Sequence, residues 1–209
     1  MHALVQNNNI TEIIKNPKSI VIGDVRYPAK IFQLWSKAEK EAIGLYEIVT
    51  DSTNFKNLDY YINTNEEYSF ANNQVTKSWG TATAKAHADS LWTQQDSDDG
   101  NLPDDKEVGD VKVEGLKTQL IRKIKQQAAG ILQDTDWYII RKADAGTEVP
   151  SAITTHRAAV RTKAAEQETQ ITNAADTPAL ETLYTYVNTG TEENPVMERP
   201  LGELPTLEI

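Results

Sequence analysis

The sequence predicts an α+β protein whose two folded regions are joined by an acidic segment. Three observations lead to this fold class. Residues 1–92 carry short β-branched and aromatic runs bounded by turn residues, which is typical of antiparallel strands. Residues 111–187 repeat apolar side chains every three or four positions, which is typical of helices. Residues 93–110 between them are too polar to join a core, and residues 188–209 lack periodicity and predict an extended tail.

The composition excludes several classes of function. The chain has 209 residues, of which 39% are hydrophobic, and this length allows two small domains. The absence of cysteine excludes disulfides, thiol nucleophiles and cysteine-ligated zinc. A net charge of −10 disfavours non-specific binding to nucleic acid. Because no apolar run approaches the roughly 18 residues of a membrane span, we expect no membrane partner either.

The charge is unevenly distributed along the chain. Residues 96–110 contain seven acids and one base, and residues 176–209 contain the same numbers. Residues 111–163 contain ten of the 21 bases. This locally basic block has two interpretations, a phosphate-contacting site or the solvated faces of helices.

In the N-terminal region, the β-branched run within Ser19–Val25 predicts a strand. Ser36 and Glu39 have the spacing of a capping box and predict a short helix, and Gly44 suits the position just after it. Two further strands are expected, with the second the weaker candidate: Leu45–Val49 and Leu58–Ile62.

The clearest local prediction is a hairpin over Glu67–Trp79. Asn72 and Asn73 can take the two positive-φ positions of a tight turn. This turn sets the register as three pairs: Phe70 with Val75, Tyr68 with Lys77, and Glu66 with Trp79. The aromatic residues then share one face, which we expect to be buried.

The acidic segment Thr93–Asp110 is expected to be a mobile loop or linker. It also matches a calcium-loop template weakly, since four acids fall at its first, third, ninth and twelfth positions: Asp96, Asp98, Asp104 and Glu107. Asn101 stands at the sixth position, where the template has glycine. A calcium site and an acidic linker therefore remain alternative interpretations.

The C-terminal region predicts a helical hairpin and a short third helix. The first helix covers Leu116–Leu132, and a short extended or buried piece follows at Thr135–Ile140. The second begins near Ser151 as its capping residue and ends near Asn173. Its inward seam contains six residues: Ile153, Arg157, Val160, Ala164, Gln167 and Ile171. Thr177-Pro178 opens the third helix.

The tail after Val187 is interrupted by three prolines, at 195, 200 and 205. Its apolar side chains are spaced so that they can dock in extended form on another surface: Leu201, Leu204, Leu207 and Ile209.

No pattern in the sequence indicates catalysis. The three histidines, His2, His87 and His156, belong to no metal-ligand motif, and no phosphate loop, dinucleotide fingerprint or nucleophile elbow is present. For His156 we expect a surface or capping role on the second helix. The prediction is therefore a non-enzymatic protein without a metal or cofactor.

The stretch Gly130–Arg141 contains Leu132, Thr135, Asp136 and Trp137, and it resembles the L-x-x-T-D-W element of phage tail-assembly-chaperone-like domains. In that family a helix leads into the Thr-Asp-Trp turn, and a proline and a second helix with a Tyr-Arg pair and a further arginine follow. The corresponding residues here are Pro150, His156, Arg157 and Arg161, with histidine in place of tyrosine.

A second stretch, Tyr27–Gly44, resembles N-terminal segments of phage tail and tail-fibre-associated proteins. Together the resemblances cover about half of the chain. They imply a tail protein that helps fibres to assemble in the host cytoplasm, or a component that stays in the virion tail. The implied partners are phage tail or tail-fibre proteins, and a homo-oligomer is also compatible.

Five residues of the helical region are the candidate protein-binding residues: Trp137, Arg141, His156, Arg157 and Arg161. The same residues also fit a plain helical hairpin in which Trp137 is wedged between two helices. An intracellular adaptor with no phage connection is the other alternative.

Overall fold

The computed structural model describes residues 1–207. The chain divides into two compact units, Met1–Thr83 and Ala84–Ile209. The α+β class is confirmed, since the first unit is built around a mostly antiparallel sheet and most of the helical residues lie in the second.

Unit 1 contains eight strands and two short helices before the boundary. The strands are β1 (His2–Gln6), β2 (Asn9–Ile14), β3 (Ile20–Ile22), β4 (Val25–Tyr27), β5 (Leu45–Thr50), β6 (Tyr61–Ile62), β7 (Glu66–Ala71) and β8 (Gln74–Trp79). The helices are α1 (Ile31–Leu34) and α2 (Lys37–Ala42), and a two-residue strand, β9 (Thr83–Ala84), lies at the boundary.

The central sheet has the strand order β2-β1-β5-β8-β7. All neighbours pair antiparallel except β5 and β8, which are parallel. The predicted hairpin is confirmed, since β7 and β8 pair in the predicted register, Phe70 opposite Val75 and Glu66 opposite Trp79. Asn72 and Asn73 have φ of +52° and +56°, as this turn requires.

The sheet is apolar on both faces because successive strand residues point to opposite sides. Leu45 packs with Ile31 and Phe32 of α1 on one face. Its neighbour Tyr46 packs on the other face, in a cluster around Ala3 and Val75. The predicted capping box is also confirmed, since Ser36 and Glu39 each bond the other's backbone N–H.

In its described residues, unit 2 contains five helices and four short strands. The helices are α3 (Gln94–Asp98), α4 (Leu116–Gln133), α5 (Asp136–Ala145), α6 (Ser151–Asn173) and α7 (Thr177–Tyr184), and only α3 is shorter than eight residues. The short strands are β10 (Ser90–Leu91), β11 (Val111–Val113), β12 (Val187–Asn188) and β13 (Met197–Glu198).

Helices α4 and α6 pack against each other and supply the core of unit 2. The apolar stripe of α4 faces inward, with Leu116, Ile124 and Ala128 buried. All six residues of the predicted α6 seam are buried, including Arg157 and Gln167. The heptad spacing therefore identified the inner face of this helix even where it carries polar side chains.

Three expectations about unit 2 differ from the structure. Thr93–Asp110 is not a free linker: it contains α3, it is flanked by the paired strands β10 and β11, and it lies inside the second unit. Asp136–Ile140 is helical rather than extended, because α5 begins at Asp136 and Thr135 is its N-cap. The N-cap of α6 is Pro150 rather than Ser151.

The segment after β13 docks on its own unit. Leu201 is fully buried, and its N–H donates to the carbonyl of Leu183 at 3.0 Å. The side-chain amide of Gln167 donates to the carbonyl of Gly202 at 3.0 Å. Leu204 and Leu207 are partly buried, and Ile209 lies outside the described residues.

Within residues 1–207, no helix combines the length and the apolar character that a membrane crossing requires.

Candidate protein-binding site

Helix α5 presents apolar side chains that the rest of unit 2 leaves uncovered. Its ten residues are all described, and none of them is buried. Trp137 is 48% exposed and Ile140 is 67% exposed, and Ile139 between them is also exposed. Apolar side chains exposed together on one short helix mark a surface that another molecule can cover.

Both ends of α5 are set by local geometry. At its start, the buried hydroxyl of Thr135 donates to the carbonyl of Leu132 at 3.0 Å, which closes the turn after α4. At its end, Gly146 has a φ of +65° and its N–H donates to the carbonyl of Lys142 at 3.0 Å. A left-handed residue at this position ends a helix, and glycine adopts it without strain.

The two aromatic side chains of α5 contact each other, and one of them also contacts a cation. The rings of Trp137 and Tyr138 lie 4.0 Å apart between centroids. The guanidinium of Arg141 lies over the Trp137 indole at 5.2 Å from the ring centroid. This cation–π contact holds Arg141 beside the apolar surface while its side chain remains accessible.

Arg157, a buried residue of α6, holds the turn between α4 and α5 in place. It is 7% exposed, and its Nη1 donates to the carbonyl of Leu132 and to the hydroxyl of Thr135, both at 2.7 Å. Its Nη2 lies 2.8 Å from the carboxylate of Asp136, the first residue of α5. Arg157 therefore positions α5 rather than contacting a partner, which differs from the binding role expected for it.

His156 is also buried, and the expectation of a surface or capping role was wrong. It is 8% exposed and lines a groove at the starts of α5 and α6. The α5 side is formed by Thr135, Trp137 and Tyr138, and the α6 side by Pro150, Ala152 and Ile153.

The groove has a volume of about 620 Å³, which is in the range that small ligands or a few side chains occupy. Its remaining walls come from the end of α4 and from the C-terminal segment: Ile131, Asp134, Pro205, Thr206 and Leu207. The C-terminal residues were not predicted as part of a site, although the apolar spacing of the tail indicated that it docks.

The structure thus brings four of the five candidate residues into one region with separate roles. Trp137 lies between the exposed apolar surface and the groove, and Arg141 lies over its ring. His156 is in the groove, and Arg157 supports the turn. Arg161 is exposed one turn further along α6 and is not among the groove residues.

The weak calcium template is not assembled as a site. The carboxylate of Asp96 accepts the backbone N–H of Thr93 in the capping box of α3, and it lies 2.6 Å from the ammonium of Lys112. These two partners hold the pKa of Asp96 at about 2. Across residues 1–207, no three acidic or histidine side chains converge in a way that would hold a metal ion.

Comparison of the chain with protein-family models, with curated proteins and with solved structures gives no match. Function is therefore inferred from the chain's own residues.

Proposed function

We propose that this is a non-enzymatic bacteriophage tail protein that acts in tail-fibre assembly or attachment by binding another tail protein. The observation that carries the proposal is helix α5, which exposes Trp137, Ile139 and Ile140 and buries none of its ten residues. The phage setting rests on the resemblance of Gly130–Arg141 to tail-assembly-chaperone-like domains.

Helix α5 is suited to a partner protein by its chemistry and by its rigidity. Interfaces are enriched in tryptophan, tyrosine and arginine, and Trp137, Tyr138 and Arg141 lie together on this helix. The buried Arg157 holds the first turn of α5, so the surface is ordered before a partner arrives.

The proposed phage role is tested by asking where the gene lies and whether the protein is present in phage particles. Gene neighbourhood comes first, because an adaptor unrelated to phage would not be encoded among tail genes. Mass spectrometry of purified particles then separates two roles. An assembly helper is present in the producing cells and absent from particles, whereas a structural component is present in particles at a fixed stoichiometry. Finding it outside any tail gene cluster would overturn the phage assignment.

The surface is tested by binding to a tail-fibre protein from the gene cluster that the neighbourhood analysis would identify. We expect Ile140→Asp to weaken this binding at least ~10-fold, because a charge would be buried in the interface. Ile140 is 67% exposed in the free protein, so the substitution leaves the fold intact. Leu34→Asp is the matched control, because Leu34 is an exposed apolar helix residue in unit 1. Equal binding by both variants would contradict the assignment of α5.

A further inference from the structure

The N-terminal end of α6 presents a set of backbone hydrogen-bond donors. This helix has 23 residues, and no side chain within residues 1–207 caps its first turn. The N-cap is Pro150, and the backbone N–H groups of Ser151, Ala152 and Ile153 have no acceptor among the described residues. Such groups, together with the helix dipole, favour a negatively charged ligand.

A second observation at the same place also indicates a ligand. His156 is 8% exposed and lines the groove onto which Pro150, Ala152 and Ile153 open. Among the hydrogen bonds and ion pairs of residues 1–207, none involves its imidazole ring. Within residues 1–207 its ring nitrogens are not among the buried polar atoms that lack a partner, so they reach the groove and can pair with a group that enters it.

The other walls of the groove indicate which chemical groups the ligand carries besides its charge. Ile131, Trp137, Tyr138 and Ile153 present apolar and aromatic surface. The exposed carboxylate of Asp134 also lines the groove, and its charge opposes a multiply charged group such as phosphate more strongly than it opposes a single carboxylate. The combination fits one carboxylate carried on an apolar or aromatic body.

We infer that this groove binds a carboxylate group of the partner protein, presented beside an apolar or aromatic side chain. The carboxylate accepts hydrogen bonds from the first N–H groups of α6 and from His156, and the apolar part packs on Trp137 and Tyr138. This inference rests on the proposed function, because the partner that covers α5 would supply the carboxylate next to the same tryptophan.

The inference is tested with two small probes of the same shape. N-acetylphenylalanine carries a carboxylate on an aromatic body, and N-acetylphenylalaninamide replaces the carboxylate with a neutral amide. In ¹H–¹⁵N spectra of the full chain, we expect the acid to shift the signals of Trp137 and Ile153 and the amide to bind at least ~10-fold more weakly. Equal affinities, or no binding of the acid, would overturn the inference.

A variant that strengthens the fold separates lost binding from lost folding. Pro150→Asp places a carboxylate at the N-cap, where the extended backbone of Pro150 suits a capping aspartate. We expect this variant to raise the melting temperature and to reduce the affinity for the acid to that for the amide. Thr162→Asp is the control, since it adds the same charge on the exposed face of α6 and should keep the preference for the acid.

The two proposals fail in different ways. If acid and amide bind alike while the fibre protein still requires Ile140, the carboxylate assignment is wrong and the proposed function stands. If the fibre protein binds the Ile140→Asp variant normally while the acid still depends on the N-cap of α6, the proposed function is wrong. Concentration-dependent self-association that Pro150→Asp abolishes would place the carboxylate on a second copy and overturn the assignment to a partner.

Discussion

At the scale of single residues, Arg157 is the most informative side chain, because the sequence predicted its burial but not the contacts that it makes. Heptad spacing put Arg157 in the inner seam of α6, and it is buried there. The resemblance suggested that it contacts a partner. Its guanidinium instead binds Leu132, Thr135 and Asp136 of the preceding turn. Its Nε is buried without an acceptor in the described part of the chain.

We expect Arg157→Met to lower the free energy of unfolding by about 2 kcal/mol, because several hydrogen bonds to the charged guanidinium are lost and a buried hydroxyl and carbonyl lose their donor. Arg161→Met is the matched control on the same helix, and its exposed position predicts a change within about 0.5 kcal/mol. Urea denaturation of both variants measures the difference. Equal effects would show that the contacts of Arg157 contribute little.

Gly44 is the residue whose replacement should distort unit 1 most directly. Its φ is +80°, and a Cβ added there would lie 2.4 Å from the carbonyl oxygen of Val5. The carbonyl of Gly44 also accepts the N–H of Val5 at 2.8 Å, so the clash would disturb the pairing of β1.

We therefore expect Gly44→Ala to lower the free energy of unfolding by about 3 kcal/mol, from the left-handed conformation and the clash together. Gly23→Ala is the control. Its φ is +61° but nothing lies within 4 Å of the added Cβ, so only the conformational cost of about 1 kcal/mol applies. Thermal melts of both variants, followed by circular dichroism, compare the two costs. Equal losses would show that the contact with Val5 relaxes freely.

At the scale of elements, helix α5 shows how neighbours decide the state of an ambiguous run. Four consecutive apolar residues, 137–140, fit a buried strand or a helix, and periodicity alone does not separate the two. The structure makes them helical, with Arg157 bound at the first turn and Gly146 at the end. Because no strand of unit 2 pairs with them in residues 1–207, the extended form would leave backbone groups unpaired.

The same element changes the expected role of Trp137. A wedge buried between two helices would make Trp137→Ala cost roughly 3–5 kcal/mol. Trp137 is 48% exposed, so we expect a loss of only about 1 kcal/mol, since much of its apolar surface already faces water. The free energy of unfolding from urea titration decides between the two values. A loss above about 3 kcal/mol would show that Trp137 is a core residue in solution.

Two equivalent turns illustrate what local sequence can reveal. Asn72 and Asn73 were recognised as a hairpin turn because alternating residues flank them. Asn7 and Asn8 form the same kind of turn between β1 and β2, with φ of +51° and +62°, and this hairpin was not predicted. The flanking runs, Ala3–Val5 and Ile13–Ile14, alternate less clearly, and a bulge after Leu4 shifts the register.

At the scale of the whole molecule, two separate cores rather than one determine stability. Unit 1 has apolar clusters on both faces of its sheet, and unit 2 is built on the α4–α6 pair. The predicted boundary at residue 92 lies nine residues beyond the observed one at Thr83. Residues 84–92, which were expected to belong to the first region, belong to unit 2. The Gly115 N–H and the Thr118 hydroxyl both donate to Asp89, which ties this segment to the start of α4.

Stability should depend on pH through His2, which packs edge-on against Phe32 in unit 1. Burial and the neighbouring Lys40 ammonium lower the pKa of His2 from its ordinary 6.5, although Glu47 opposes the shift. The unfolded chain therefore takes up the proton first as pH falls. The free energy of unfolding should be highest above about pH 6.5 and decline below it until the folded-state pKa is passed.

We expect His2→Gln to remove this component of the pH dependence. The measurement is the free energy of unfolding from urea denaturation, at a series of pH values from about 7.5 down to below the folded-state pKa of His2. His87→Gln, a partly exposed histidine of unit 2, is the control and should keep it. An unchanged pH profile in His2→Gln would show that His2 titrates alike in the folded and unfolded chains.

The sequence by itself determined the α+β class, the capping box at Ser36, the register of the β7–β8 hairpin and the buried seam of α6. These depend on periodicity and on contacts between residues close in the chain. Only the tertiary structure decided that α5 is helical and uncovered, that Arg157 supports it and that the tail completes a groove beside His156. Those outcomes depend on residues more than twenty positions apart, whose meeting is fixed by how α4, α6 and the tail pack.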